Sequence, residues 1–159
     1  MPNGRVRTAR PEDLSPILEL EASFPEADRL SRRSLMRLLK SESALCLVSE
    51  AENSLLGAAI LLFRKGHTWA RLYSISVSDK ARHHGVGKAL LDAAVTASGE
   101  RDCKSLRLEV RVSNISAISL YERAGFGVIG QKSTYYDDGE DALHMELSLI
   151  PDSPGNADE

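Results

Sequence analysis

The stretch Asp79-Lys80-Ala81-Arg82-His83-His84-Gly85-Val86-Gly87-Lys88, continuing as "ALLDAAVTASG" to Gly99, decides how the rest of the chain is read. It follows "WARLYSISV" (69–77), whose β-branched and aromatic residues predict a strand. It opens a helix in which Val86, Leu90, Ala93 and Ala97 fall in register, with Gly99 expected as the C-cap. The first N–H groups of a helix have no intrahelical acceptor, and its dipole favours an anion there. Gly85 and Gly87 let an anion approach the backbone, and Arg82, His83, His84 and Lys88 collect positive charge around the same turn. Two nucleotide loops fail on chemistry. A P-loop needs a hydroxyl after Gly-Lys, where Ala89 stands, and a dinucleotide fingerprint needs a third glycine, where Leu90 stands. Taken by themselves the two glycines also fit a plain tight turn.

Upstream, Arg5–Ala9 reads as a short extended piece, and Pro11 marks a helix start with Glu12 and Asp13 in its first turn. Leu14, Ile17, Leu18 and Glu21 keep helical spacing, and a second short helix carries Leu35, Leu38 and Leu39 on one face. "ALCLVSE", "LGAAILLF" and "WARLYSISV" predict an antiparallel meander. Downstream come a strand "SLRLEVR", a helix "SNISAISLYERAG" ending on Gly125, and strands "FGVIGQKSTYY" and "ALHMELSL" joined by "DDGED". Strand, helix, strand, helix requires at least one parallel crossover, so the fold class is α/β (α+β) with a mixed sheet.

The 159 residues suit one domain over 1–149, with 150–159 expected as a disordered tail, since only Ala157 in "PDSPGNADE" is apolar. A net charge of −3 lacks the basic excess of a nucleic-acid binder. Cys46 and Cys103 form no Cys-x-x-Cys pair, which points to packing residues in a reducing compartment and to no metal. The apolar run Leu55–Phe63 is too short for a bilayer, and no leader pattern precedes it, so a cytoplasmic protein with no membrane or nucleic-acid partner is expected.

The Arg-x-x-Gly-x-Gly run between strand and helix resembles the acetyl-CoA pyrophosphate loop of the GNAT superfamily of N-acetyltransferases. The element order from Arg5 to Leu149 resembles that fold as well. Within the superfamily, "LEVRVSNISAISLYERAGF" and "YYDDGEDALHMEL" are similar to the bacterial ribosomal-protein N-terminal alanine acetyltransferases, the RimI type. The resemblance implies a mostly antiparallel mixed sheet flanked by helices, with its central parallel strands splayed. It implies that Arg82, His83, His84, Gly85, Val86, Gly87 and Lys88 hold the pyrophosphate of acetyl-CoA. Ile75, Ser76 and Val77 would pair with the pantetheine arm as an added strand. The Val77 N–H would then receive negative charge developing on the thioester oxygen.

Aminolysis of a thioester needs a neutral amine and a proton for the departing thiolate. The resemblance assigns the proton donor to Tyr121 and a cofactor contact to Asn114, which with Ala117 shares one helix face at i, i+3 and i+7. Without it, Tyr121 reads as a core aromatic and Asn114 as a helix cap. Alternation in "SLRLEVR" puts Arg107, Glu109 and Arg111 opposite Leu106, Leu108 and Val110, which by itself is a salt-bridged solvent ladder. The resemblance makes Glu109 the general base, acting through water. An α-amino group of pKa about 7.8 needs about 1 kcal/mol to lose its proton at pH 7, and a lysine near 10.4 about 4.6, which favours a protein N-terminus for such a base.

Tyr135 and Tyr136 match tyrosines that clamp the acceptor in related N-terminal acetyltransferases, and Phe24-Pro25 would border the same cleft. "FPEADRL" departs from those relatives, which have small residues and a Trp there, so acceptor preference is its own question. The acceptor expected is a peptide or protein N-terminus, a ribosomal protein among the candidates, and the enzyme a monomer or homodimer. The alternatives are acetylation of a lysine or a small amine, and a non-catalytic coenzyme A binding module.

Overall fold

A computed structural model describes residues 4–150. In chain order the elements are β1 (Arg5–Thr8), α1 (Leu14–Glu21), α2 (Arg32–Lys40), β2 (Ala44–Ala51), β3 (Ser54–Phe63), β4 (Trp69–Val77), α3 (Val86–Glu100), β5 (Ser105–Arg111), α4 (Ile115–Arg123), β6 (Gly127–Lys132) and β7 (Ala142–Ser148). One seven-stranded sheet, ordered β1-β2-β3-β4-β5-β7-β6, carries them. Neighbours are antiparallel except β4 and β5, which are parallel and joined through α3. The expected meander and parallel crossover are both present.

Strand alternation divides the core into two layers. Cys46, Val48, Ala58 and Ile60 face α1 and α2, packing on Leu14, Ile17, Leu20 and Leu35. Leu47, Ala59, Leu61, Leu72, Leu106, Leu108 and Val110 face the other way, onto Leu90, Leu91 and Ala94 of α3 and Tyr121 of α4. The two layers sit on opposite faces because successive strand side chains point to opposite sides. Gly57 brings α3 close to the sheet. A Cβ there would lie 2.8 Å from the Ser76 carbonyl oxygen and 2.9 Å from Leu90 Cδ1.

Four boundaries differ from the sequence reading. Pro11 opens a 3-10 turn, Pro11–Asp13, that runs into α1. A second 3-10 turn, Asp79–Ala81, separates β4 from the glycine loop, so the loop does not follow the strand directly. Gly99 is not the C-cap: α3 continues to Glu100 and the chain turns out at Asp102 (φ 63°), whose N–H bonds to the Gly99 carbonyl at 3.0 Å. The strand expected to reach Tyr136 stops at Lys132. Thr134 takes a left-handed φ of 47° and its N–H bonds to Asp141 Oδ1 at 2.9 Å, which turns the chain and leaves Tyr135 and Tyr136 in a loop. Of the tail expected to be disordered, residues 151–159 lie outside the described residues. No helix among the described residues is long and apolar enough to cross a membrane.

Candidate active site

The parallel pairing of β4 with β5 is confined to Trp69–Arg71 opposite Ser105–Arg107. Beyond it the strands diverge. A bulge marks the point: Leu72 pairs with Leu61 and Ser74 with Ile60, which leaves Tyr73 as the extra residue. A bulge bends its strand and shifts side-chain alternation by one. Accordingly Leu72 and Ile75 both contact the α3 layer. Ile75, Ser76 and Val77 pair with Ala59, Ala58 and Gly57 on one side, while no β5 residue pairs with them on the other. An extended ligand fits such an edge by adding backbone hydrogen bonds.

Where β4 ends, the glycine loop begins. Gly85 is the N-cap of α3 at φ 81°, a conformation cheap only for glycine, and as glycine it offers no side-chain cap to the first turn. The first-turn N–H groups, on Val86, Gly87 and Lys88, therefore remain open to an external acceptor. Arg82 pairs with Asp79 at 3.1 Å and Lys88 with Asp92 at 2.9 Å, both as exposed pairs that an anion can displace. A Cβ on Gly87 would sit 3.4 Å from Leu120 Cδ2 and 3.7 Å from Val77 Cγ2, so loop, strand end and α4 converge here. A cavity of about 570 Å³ adjoins Val77 and Lys80 on the α1 side, lined also by Pro16, Leu20, Ser23 and Leu55. It does not include Glu109 or Tyr121, so the chemistry is located by the open strand edge and the side chains around it.

Glu109 and Tyr121 belong to opposite faces of the sheet. Tyr121 lies in the α3 layer, buried, its ring 5.7 Å from that of Phe126. Its hydroxyl makes no hydrogen bond among the described residues, and burial raises its pKa, with Tyr136 adding to the effect. The phenol therefore keeps its proton. Glu109 points to the α1 and α2 face, with a side chain only 8% exposed, so the ladder expected on β5 is salt-bridged but not solvated. Arg71 Nε lies 2.8 Å from Glu109 Oε1, yet neither atom has an aligned hydrogen bond among the described residues, which leaves Oε1 with unused acceptor capacity there. Lys132 Nζ and His144 Nε2 each lie 3.4 Å from Oε2. Burial holds the His144 pKa below its ordinary value against the raising effect of Glu109.

The Tyr135-Tyr136 loop lies on that same face, and the loop that carries Phe24 and Pro25 reaches it through Asp28, which pairs with Arg111. The rings of Tyr135 and Tyr136 are edge to face at 5.0 Å. Arg71 donates to the Tyr135 hydroxyl at 3.0 Å, and the Arg111 guanidinium lies 4.1 Å over the Tyr136 ring. Burial, aided by Tyr135, pushes the Tyr136 pKa up to about 12. Pro25 caps a 3-10 turn, Glu26–Asp28, and Arg29 Nε donates to the Phe24 carbonyl at 2.9 Å. Asn114 takes the capping position: its side chain accepts the Ala117 N–H at 3.2 Å, a structural use of both residues.

Sequence reading did not single out Arg71, Tyr73, Lys132 or His144 as site residues. Their only signal was alternation along strands, and alternation says which face a residue takes, not which neighbour it meets.

The acetyltransferase (GNAT) family model matches residues 12–126. The chain belongs to the GNAT family. This acetyltransferase is 32% identical to the N-alpha-acetyltransferase of Sulfurisphaera tokodaii over 91% of its length and 93% of the relative's. It is 39% identical to the ribosomal protein bS18-alanine N-acetyltransferase of Escherichia coli over 83 residues, half of this chain and 56% of that one. The crystal structure of the ribosomal-protein-S18-alanine N-acetyltransferase from Escherichia coli superposes with a TM-score of 0.82 at 27% identity, covering 95% of this chain and 97% of the other. The family membership, the mixed sheet and the acetyltransferase activity expected from the motifs are thus as the sequence reading gave them.

Proposed function

We propose that this GNAT acetyltransferase acetylates the α-amino group of a peptide or protein N-terminus. The relatives named N-alpha-acetyltransferase support that acceptor class. The observation that carries it is Glu109: a buried carboxylate with an unused acceptor position, on the face where Tyr135, Tyr136 and the Phe24–Asp28 loop gather.

Acetyl-CoA supplies an acetyl group activated as a thioester. The uncapped turn at Arg82–Lys88 suits its diphosphate, and the free edge at Ile75–Val77 suits its extended arm. Asn114 and Ala117, at the start of α4, would border the arm. Glu109 accepts a proton from the incoming ammonium group through water, and Tyr121 Oη holds a proton ready for the departing sulfur. The two proton tasks are kept apart by the sheet, one on each face, with the open gap between β4 and β5 connecting them. Phe24, Pro25, Tyr135 and Tyr136 wall the acceptor side. A base relayed through water suits an amine that needs about 1 kcal/mol to deprotonate better than one needing about 4.6.

The test is release of free thiol from acetyl-CoA with peptides beginning Ala-Arg, Ser-Met or Met-Leu, with an N-blocked lysine peptide and with spermine. Turnover confined to the free N-terminal peptides is expected. Turnover only with spermine or the lysine peptide overturns the acceptor class.

A further inference from the structure

Arg111 ends β5, two residues after Glu109 on the same face, and its side chain is 13% exposed. It meets carboxylates from two separate loops. Nε and Nη2 donate to Asp28 Oδ2 and Oδ1, each at 3.0 Å, as a bidentate fork. Nη1 donates to Asp138 Oδ2 at 2.8 Å and to Glu140 Oε1 at 2.9 Å. Asp28 closes the 3-10 turn after Phe24-Pro25, and Asp138 and Glu140 follow Tyr135-Tyr136. Among the described residues no backbone hydrogen bond joins these two loops. Each has its own internal bonds, such as Asp28 N–H to Pro25 O at 2.8 Å and Tyr136 N–H to Glu140 O at 3.1 Å. Glu140 also accepts the Ser113 N–H at 2.9 Å, which fixes its loop to the start of α4.

We infer that Arg111 is a positioning residue: it locks the Phe24–Asp28 loop to the Tyr135–Glu140 loop and so fixes the width of the acceptor cleft. Burial opposes the charge of its guanidinium, and hydrogen bonds to Glu140, Asp28 and Asp138 outweigh that opposition. Without the cation, three carboxylates would face one another and drive the loops apart. The task needs the planar fork of arginine; a lysine ammonium, a single point of charge, cannot span all three partners. The cleft-width part of the inference rests on the proposed acceptor class. The coupling of the two loops does not.

The experiment compares wild type, Arg111→Lys and Asp28→Asn by amide hydrogen exchange over residues 24–31 and 133–141, and by steady-state kinetics with a peptide beginning Ser-Met. Asp28→Asn touches only one loop directly. It is expected to speed exchange in the other loop, 133–141, about tenfold, and Arg111→Lys to speed both. Peptide KM is expected to rise about fivefold in both variants with kcat and the acetyl-CoA KM unchanged. A merely local role predicts that Asp28→Asn loosens residues 24–31 alone, and that result overturns the inference. So does a peptide KM that stays put while 133–141 loosens. If wild type turns over spermine or the lysine peptide and none of the free N-terminal peptides, the acceptor class fails, and exchange still decides whether Arg111 couples the loops.

Discussion

Arg71 Nε lies 2.8 Å from Glu109 Oε1, and the two residues belong to the strands whose pairing ends at Arg71 and Arg107. The ion pair thus spans the mouth of the gap on the acceptor face. Arg71 also donates to the Tyr135 hydroxyl at 3.0 Å, so one guanidinium orients the proposed base and one wall of the cleft. Arg71→Gln is expected to lower kcat/KM for a peptide about tenfold, as loss of a hydrogen bond to or from a charged group does, and to leave acetyl-CoA affinity unchanged. Glu109→Gln is expected to lower kcat by about 10²–10⁴. Calorimetric titration with coenzyme A would separate the two effects: weaker cofactor binding in either variant would place these residues on the wrong side of the sheet.

Tyr121 offers a clean division between packing and chemistry. Its ring lies in the core and its hydroxyl has no hydrogen-bond partner among the described residues. Tyr121→Phe should therefore keep the melting temperature while turnover falls about tenfold or more. Tyr121→Ala should cost about 3–5 kcal/mol of stability, as truncation of a buried aromatic does. Because burial raises the Tyr121 pKa, its proton remains in place through the alkaline range, and no rate loss from its ionisation is expected below about pH 10. A Tyr121→Phe variant with wild-type turnover would remove it from the proton path.

Gly85→Ala tests the anion turn. Among the described residues nothing lies within 4 Å of a Cβ at this position, so the cost is the left-handed φ of 81° alone, about 1–2 kcal/mol. Relief of that strain would rotate the first N–H groups of α3 away from the turn. Affinity for coenzyme A should drop about tenfold, and more than affinity for its dephosphorylated pantetheine fragment. Equal losses for both ligands would argue that the turn does not hold the diphosphate.

Glu21 links pH to stability. It is buried in α1, its Oε1 accepts the Leu30 N–H at 2.7 Å, and burial raises its pKa above 4.5 despite that bond. The folded state holds the proton more tightly than the unfolded state. Its contribution is therefore full below the unfolded pKa and is lost as pH rises through the folded value. Glu21→Gln keeps an oxygen for Leu30 and removes the titration. Urea midpoints should show the variant more stable than wild type near pH 7 and not so near pH 4. Parallel curves at both pH values would contradict this.

Much of the fold was legible in short-range pattern. Extended runs bounded by turn residues gave β2 to β4 and β7, and alternation gave β5, to within about two residues, while period-3.6 runs gave α1 to α4. The glycine turn was legible because a positive φ at Gly85 and an uncapped helix start are local properties. Gly99 and Tyr135 show the limit of that reading. A glycine near a helix end is a C-cap only if the chain turns there, and it turned at Asp102. An apolar-aromatic run continues as a strand only if nothing bends it, and Asp141 bonded to Thr134 N–H does.

The sequence by itself determined the order and approximate extent of the main helices and strands, which face of β5 is apolar, and that residues 82–88 make a cationic helix entrance. Those features depend on neighbours a few positions away. Only the tertiary structure decided that β4 and β5 part after Arg71, that the extra residue falls at Tyr73, that Glu109 and Tyr121 take opposite faces of the resulting gap, and that Asp28 reaches Arg111. Each of these depends on pairing register and on the packing of distant segments, which local periodicity and propensity do not encode.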